Sequence, residues 1–171
     1  AIEGPVFIQN FDPPLGSSLS PQFVQSLLLD IPNVSYVKEE MMPCGHSVSA
    51  LMQTCGDELH GVFTGFSGRW FIDELNRGVA GTMPACQFTD VMVSLYERYR
   101  SGNVEGAREV HSKVLPLLSI EQLHGVVFCK EILKRRGVID STFTRCPGSL
   151  DRHDAAEIDR LMRDIEEFYR I

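Results

Sequence analysis

The sequence predicts an α/β protein built on a parallel sheet, and three observations predict it. Short apolar runs rich in branched and aromatic residues alternate with helix-period stripes four times between Pro5 and Met83. The connections between the runs are of crossover size, as parallel strands require. After Met83 the apolar pattern is helical only. The expected organisation is four βα units over residues 1–86 and further helices over 87–171.

Each element follows from local chemistry. Val6-Phe7-Ile8 reads as a strand ended by Gln9-Asn10, and the Pro/Gly/Ser segment from Asp12 to Ser18 reads as a loop. Ser20 as N-cap and Pro21 at the first helical position open a helix with the stripe Phe23, Val24, Leu27 and Leu28. Pro32-Asn33 stops it, and Val34 to Lys38 is the second strand. Strand alternation puts Val34, Tyr36 and Lys38 on one face, and Ser35 and Val37 on the other. After Pro43-Cys44-Gly45, Ser47 caps a helix with the stripe Val48, Leu51, Met52 and Cys55. His60 to Thr64 is the third strand. A helix from about Arg69 carries Trp70, Phe71 and Leu75 and closes at Asn76-Arg77-Gly78. Val79 to Met83 is the fourth strand. Phe88, Val91, Met92, Leu95 and Tyr99 then recur at helical spacing, and Ser101-Gly102-Asn103 separates them from Ala107, Val110, Val114 and Leu117. A helix is expected from Glu121 to Arg135, closing at Arg136-Gly137, then a loop from Thr144 to Ser149. The last helix starts near Asp151, with Ala155, Ile158, Leu161, Met162, Ile165 and Tyr169 inward.

Bulk properties exclude several function classes. The 171 residues suffice for a real core, and 43% hydrophobic with 23% charged residues is an ordinary globular balance. A formal net charge of −7 argues against nucleic acid or an anionic membrane as partner. No apolar run reaches the roughly 18 residues of a membrane span, and no signal-peptide pattern opens the chain. The five cysteines, Cys44, Cys55, Cys86, Cys129 and Cys146, are odd in number and lack paired spacing, which reads as free thiols in a reducing cytoplasm. The first residue is Ala1, which is expected to follow removal of a segment or to begin a piece of a larger protein.

Four parallel strands form either an open doubly wound sheet or half of an eight-stranded barrel. Both put chemistry at the carboxyl ends of the strands. Those ends carry Gln9, Lys38, Gly65 to Ser67, and Met83. A lysine closing an apolar strand is costly unless solvated, paired or neutral. A neutral amine there attacks a carbonyl and forms a Schiff base; a surface lysine at a strand end is the bland alternative. Gly61-x-x-x-Gly65-x-x-Gly68 lacks the Lys-Ser/Thr of a P-loop and is not a dinucleotide fingerprint. The N–H groups of Gly65 to Gly68 remain a carboxylate-binding turn or a plain tight turn. Cys44, His46, Cys55 and His60 match no zinc spacing, so no metal site is expected; a Cys-His nucleophile pair is no better supported, because Cys55 sits on an apolar stripe as a packed thiol. Glu39 and Glu40 read as solvated loop carboxylates, with one of them holding a helix N-terminus or a neighbouring cation as the alternative; Trp70 reads as core, and Glu157, Asp159, Asp164, Glu166 and Glu167 as a solvated helix face.

An ordered series of features resembles one family. Gly4-Pro-Val-Phe-Ile-Gln-Asn10, the Pro/Gly loop through Gly16, Leu19-Ser-Pro21 and Pro32-Asn-Val-Ser-Tyr-Val-Lys38-Glu39 resemble a signature region of the dihydrodipicolinate synthase/N-acetylneuraminate lyase family. Gly65, Gly78-Val79-Ala80-Gly81 and Lys130-x-x-Leu133-x-x-x-Gly137 continue the order, so the resemblance covers nearly the whole chain. It implies the C-terminal half of a (β/α)₈ TIM barrel, strands five to eight with the last barrel helix, and a C-terminal helical extension. Strands one to four, with the family's carboxylate loop and threonine pair, then lie outside this sequence. The expectation is a fragment, or a half that pairs with another.

The resemblance also implies site residues and chemistry. Lys38 matches the Schiff-base lysine, and Gly65 and Ala80 match pocket-lining positions; Ser67 joins them on the turn. Gln9 stands where most members have the catalytic tyrosine, Tyr36 where many have a small residue, and Pro14 or Leu15 where synthases have a carboxylate-binding arginine. The glutamine and the Ser-Tyr-x-Lys context look most like the 2-keto-3-deoxyarabonate dehydratase branch. The implied substrate is a 2-keto-3-deoxy sugar acid, and the implied reaction is dehydration or aldol cleavage. Gln9 does not ionise near pH 7, so a dehydratase needs another acid, expected from the other half. No metal or organic cofactor is called for, and members are commonly dimers or tetramers. The alternative is a catalytically inactive relative or half barrel serving as a binding or assembly unit.

Overall fold

The computed structural model describes residues 2–145 and 147–170. It divides into two compact units, Ala1–Pro84 and Ala85–Ile171. In the first, β1 (Val6–Phe11), α1 (Pro21–Asp30), β2 (Val34–Glu40), α2 (Cys44–Cys55), β3 (Gly61–Thr64), α3 (Phe71–Asn76) and β4 (Gly81–Thr82) alternate strictly. The sheet is parallel throughout, in the order β1-β2-β3-β4.

Strand alternation sorts the side chains to two faces. Towards the helices, Val34 and Val37 of β2 pack with Val24 and Leu28 of α1 and Leu51 and Cys55 of α2, with Val6, Ile8, Leu19 and Leu59 around them. Burying such a side chain contributes about 1.5–3 kcal/mol, which is what holds α1 and α2 to the sheet. Val34 therefore does not share a face with Tyr36 and Lys38 as alternation alone predicts. The pairing shifts between Val6↔Val34 and Phe7↔Tyr36, leaving Ser35 as an extra residue in β2. A one-residue bulge of this kind moves the side chains before it to the other face.

Other differences have local causes. Ser20 caps α1 as expected, its side chain accepting from the Phe23 N–H, with Pro21 next. The second helix starts earlier than expected, at Cys44, and the His46 and Ser47 N–H groups donate to the Pro43 carbonyl, so Ser47 is not its cap. The segment after Gly65 does not pass directly into a helix. Phe66, Ser67 and Gly68 have φ of 47°, 56° and 78°, a left-handed turn that delays α3 to Phe71. Gly78, at φ 92°, follows α3 in the conformation glycine adopts without strain. Regular pairing of β4 covers two residues, but the Ala80 N–H to Val62 O bond (2.8 Å) and the Met83 N–H to Thr64 O bond (2.7 Å) extend the ladder on both sides.

The second unit holds α4 (Thr89–Arg100), α5 (Val104–His124), α6 (Val126–Arg135) and α7 (Arg152–Ile165). Its core takes Val91, Met92 and Leu95 from α4, Ala107, Val110, Val114, Leu117 and Leu118 from α5, Phe128 and Ile132 from α6, and Ile158, Leu161 and Ile165 from α7. The helix expected over Glu121 to Arg135 is broken at Gly125, where φ is 53°; α5 runs through Pro116 to His124 and α6 begins afresh. Asp151 caps α7 in a capping box with Asp154. Arg136, its side chain 4% exposed, pairs with Asp90, donates to the Gln87 carbonyl at 2.6 Å and lies 4.1 Å from the Tyr169 ring centre. Cys44, Cys55, Cys86 and Cys129 are free thiols; Cys146 lies outside the described residues. Among the described residues, no helix is long and apolar enough to cross a membrane.

Candidate active site

The sheet face opposite the α1/α2 core is layered along the strands. At its lower level Phe7 stacks on Tyr36 with ring centres 4.6 Å apart, and Phe63 meets Phe7 edge-on at 5.4 Å. Two residues further along each strand, Gln9 of β1 stands beside Lys38 of β2 in register, and Glu40 follows on the same face. At the carboxyl ends, Phe11 lies against Phe66 (5.6 Å) and Phe66 against Trp70 (5.4 Å). A polar layer thus sits between two aromatic ones.

Glu40 organises that polar layer. Its Oε2 is 3.1 Å from Lys38 Nζ and accepts a 2.6 Å hydrogen bond from Gln9 Nε2. Its Oε1 accepts from the Phe66 N–H at 3.3 Å. The Lys38 side chain is 21% exposed and that of Glu40 only 6%. The strand-end lysine is thus paired. The reading of Glu39 and Glu40 as solvated loop carboxylates is overturned, because β2 continues through both and both are buried. The turn from Gly65 does hold a carboxylate, but it is the chain's own. The Gly68 and Arg69 N–H groups are used inside the turn, on Gly65 O and Phe66 O.

Two more buried carboxylates flank the group. Glu39 points to the helix side, accepting from Asn10 Nδ2 at 2.9 Å and the Met41 N–H at 2.7 Å; burial pushes its pKa up. Asn10 also exchanges hydrogen bonds with the Leu19 backbone, tying the loop after β1 to the strand ends. Glu74 of α3 accepts from Thr64 Oγ1 at 2.6 Å. Burial raises its pKa to about 7, the Thr64 hydrogen bond opposes the rise, and the charges of Asp73 and Glu40 add to it. The Cys44 thiol is pushed up to about 12 by burial and then by Glu74, Glu39 and Glu40, so it is not a nucleophile near pH 7.

Of the residues singled out in the sequence, Lys38, Gln9 and Gly65 come together around Glu40, and Ser67 is buried in the adjoining turn. Ala80 does not join them. It lies beside Val62 and Gly61, level with the Tyr36 layer, and is exposed. Asn10, Glu74 and Thr64 are neighbours of the candidate site that sequence reasoning missed; for Glu40, pairing with a neighbouring cation was only the alternative to a loop carboxylate. The available signal was two carboxylates directly after a strand lysine.

Comparison with known proteins identifies the family and the fold. The model of the dihydrodipicolinate synthetase family matches residues 2–165. An L-2-keto-3-deoxyarabonate dehydratase of Azospirillum brasilense is 28% identical over 148 residues, 86% of this chain and 48% of that relative. The dihydrodipicolinate synthase structure from Rhodopseudomonas palustris superimposes with a TM-score of 0.82 at 26% identity, covering 94% of this chain and 55% of that one. YagE from E. coli K12, a prophage protein of the same family solved in complex with pyruvate, superimposes with a TM-score of 0.75 at 23% identity, over 95% of this chain and 56% of its own. The chain spans about half the length of the relatives it matches. The fold is half of a (β/α)₈ barrel followed by a helical extension, with its charged groups at the carboxyl ends of the strands. The chain belongs to the dihydrodipicolinate synthetase family, a family of lyases and aldolases.

Proposed function

We propose that the chain carries the lysine half of a lyase that works through a Schiff base on Lys38, acting as dehydratase or aldolase on a 2-keto-3-deoxy sugar acid. The observation behind this reading is the Lys38–Glu40–Gln9 cluster at the carboxyl end of β2. The sugar-acid class is supported by the name of the Azospirillum relative. Lys38, once neutral, attacks the C2 ketone, and loss of water leaves a protonated imine. The imine draws electrons from C3. A C3 proton then leaves and the C4 hydroxyl departs as water, or the C3–C4 bond breaks as the C4 hydroxyl gives up its proton. Glu40, 3.1 Å from Nζ, takes the amine proton and returns it to the carbinolamine hydroxyl as the imine forms; in the dehydration it then takes the C3 proton and passes it to the departing C4 hydroxyl. Gln9 holds that carboxylate in place. In this reading the acid comes from this half of the barrel. Gly65 and Ser67 line the pocket; Ala80, one layer lower, does not. The complete protein is proposed to be a cytoplasmic dimer or tetramer.

The test is borohydride reduction in the presence of pyruvate. A covalent adduct on Lys38, absent from Lys38→Ala, is the expected result; no adduct in the intact protein would overturn the reading. The second reading, an inactive relative serving as a binding or assembly unit, is favoured by Gln9 in place of the implied tyrosine. It predicts that second outcome.

A further inference from the structure

We infer that Cys86 and Cys129 form a redox-sensitive dithiol, which a peroxide oxidises to an intramolecular disulfide and a thiol restores. This stands apart from the chemistry proposed for Lys38. Both cysteines belong to the helical unit and both are free thiols, whereas Cys44 and Cys55 lie in the other unit. Cys86 opens the short 3₁₀ turn Cys86–Phe88 that leads into α4, and Cys129 lies in the first half of α6. Contacts on either side of the two cysteines fix that turn against α6. Gln87, the residue after Cys86, is fully buried; its Nε2 donates to Glu121 of α5 at 2.8 Å, and its carbonyl accepts from Arg136 at 2.6 Å. Phe88 meets Phe128, the residue before Cys129, with ring centres 6.2 Å apart. Arg136 follows Cys129 by two helical turns and so stands on the same face of the helix. The turn is therefore held along the face of α6 that carries Cys129. The charges agree with this placement. The Cys129 thiol is pushed up to about 12 by burial first, then by Glu121 and by Cys86, so the partner of Gln87 and the Cys86 sulfur both act on it.

Exposure divides the work between the two sulfurs. Cys86 is exposed, whereas Cys129 is half-buried and keeps its proton near pH 7. Cys86, as thiolate, attacks one oxygen of hydrogen peroxide. The O–O bond breaks, Cys86 becomes a sulfenic acid, and the departing hydroxide takes the former thiol proton and leaves as water. Cys129 then attacks the Cys86 sulfur and gives up its proton. The S–O bond breaks, and the hydroxide leaves with that proton as a second water. Two electrons pass from the sulfurs to the peroxide oxygens, and two thiols and one peroxide become one disulfide and two waters. The protonated thiol is spared direct oxidation and is kept for the second step. A bridge closes only with Cα atoms about 4–7 Å apart, so its formation also measures how closely the turn is held to α6. In a reducing compartment such a bridge is transient, formed under oxidant and removed by cellular thiols.

The experiment treats the reduced protein with a slight molar excess of hydrogen peroxide, alkylates the remaining thiols under denaturing conditions and maps the peptides by mass spectrometry. The expected product is a monomer that has lost two hydrogens, with the Cys86 and Cys129 peptides joined, Cys44 and Cys55 still alkylated, and full reversal by dithiothreitol. In Cys129→Ala the exposed sulfur has no resolving partner, so Cys86 runs on to the sulfinic acid or joins a second chain. In Cys86→Ser the protein keeps a Cys129 that alkylates after the same treatment. Joining of either cysteine to Cys146 would overturn the inference. So would a parent protein in which Cys86 is over-oxidised while Cys129 still alkylates. Borohydride trapping on Lys38 is read separately, so neither result depends on the other.

Discussion

The Glu40 carboxylate occupies the space that a Cβ at Gly65 would need: Oε1 lies 1.8 Å from where that atom would stand. Glycine at 65 is thus required by the carboxylate. Gly65→Ala is expected to expel the Glu40 side chain and break its contacts with Lys38, Gln9 and the Phe66 N–H. Destabilisation of about 1–3 kcal/mol is expected in urea denaturation. On a Glu40→Ala background the same change should cost much less, a coupling of about 1 kcal/mol or more. Additive costs would show that the two residues do not compete for that space.

Glu40→Gln keeps the shape of the side chain and removes its proton chemistry. If Glu40 serves as acid and base, kcat falls by about 10²–10⁴-fold while pyruvate still traps on Lys38. Loss of trapping together with kcat would instead assign Glu40 to holding the lysine.

Glu74 should make stability depend on pH in the direction opposite to an ordinary paired carboxylate. Burial, opposed by the Thr64 hydrogen bond, raises its pKa from 4.5 to about 7. Between those values the folded protein keeps a proton that the unfolded chain has shed. Stability therefore falls as pH rises from 4.5 towards 7 and levels off above. Glu74→Gln keeps an acceptor for Thr64 and cannot ionise, so it should gain on the parent across that window, on the order of 2–3 kcal/mol by pH 8. Parallel stability curves for the two proteins would contradict this.

In the helical unit, Asp90 compensates Arg136, which is 4% exposed. Burial opposes ionisation of Asp90, but hydrogen bonds from Arg136 and the Arg170 and Val91 N–H groups, with the Arg136 charge, hold its pKa below the usual carboxylate range. Its contribution is present above the unfolded carboxylate pKa and is lost as pH falls through the lower folded value. Asp90→Ala is expected to cost about 3–5 kcal/mol at neutral pH, because it leaves a buried charge unpaired. Replacing Arg136 by Met as well should recover much of that loss in thermal melting.

Most of the helices and strands were legible in the sequence because their signals are local. Ser20-Pro21, Asn76-Arg77-Gly78 and Asp151 act on the backbone within one turn, and apolar spacing distinguishes strand from helix without reference to the rest of the chain. The position of Lys38 was legible for the same reason, since strand order alone puts it at a carboxyl end. The break at Gly125 was not, because a stripe on either side of a glycine reads the same whether the helix is continuous or not.

What the sequence by itself determined is therefore the alternation of elements, the parallel sheet and the lysine at its edge of chemistry. Only the tertiary structure decided what the lysine meets. Glu40 looked like a loop carboxylate until the β2–β3 pairing carried the strand past Lys38 and set it against Gly65. Gln9 and Phe66, far from it along the chain, are brought to that carboxylate by strand register and by a left-handed turn. Periodicity is written residue by residue, whereas the partners of a buried charge are set by contacts between distant segments, and burial is what gives those contacts their weight.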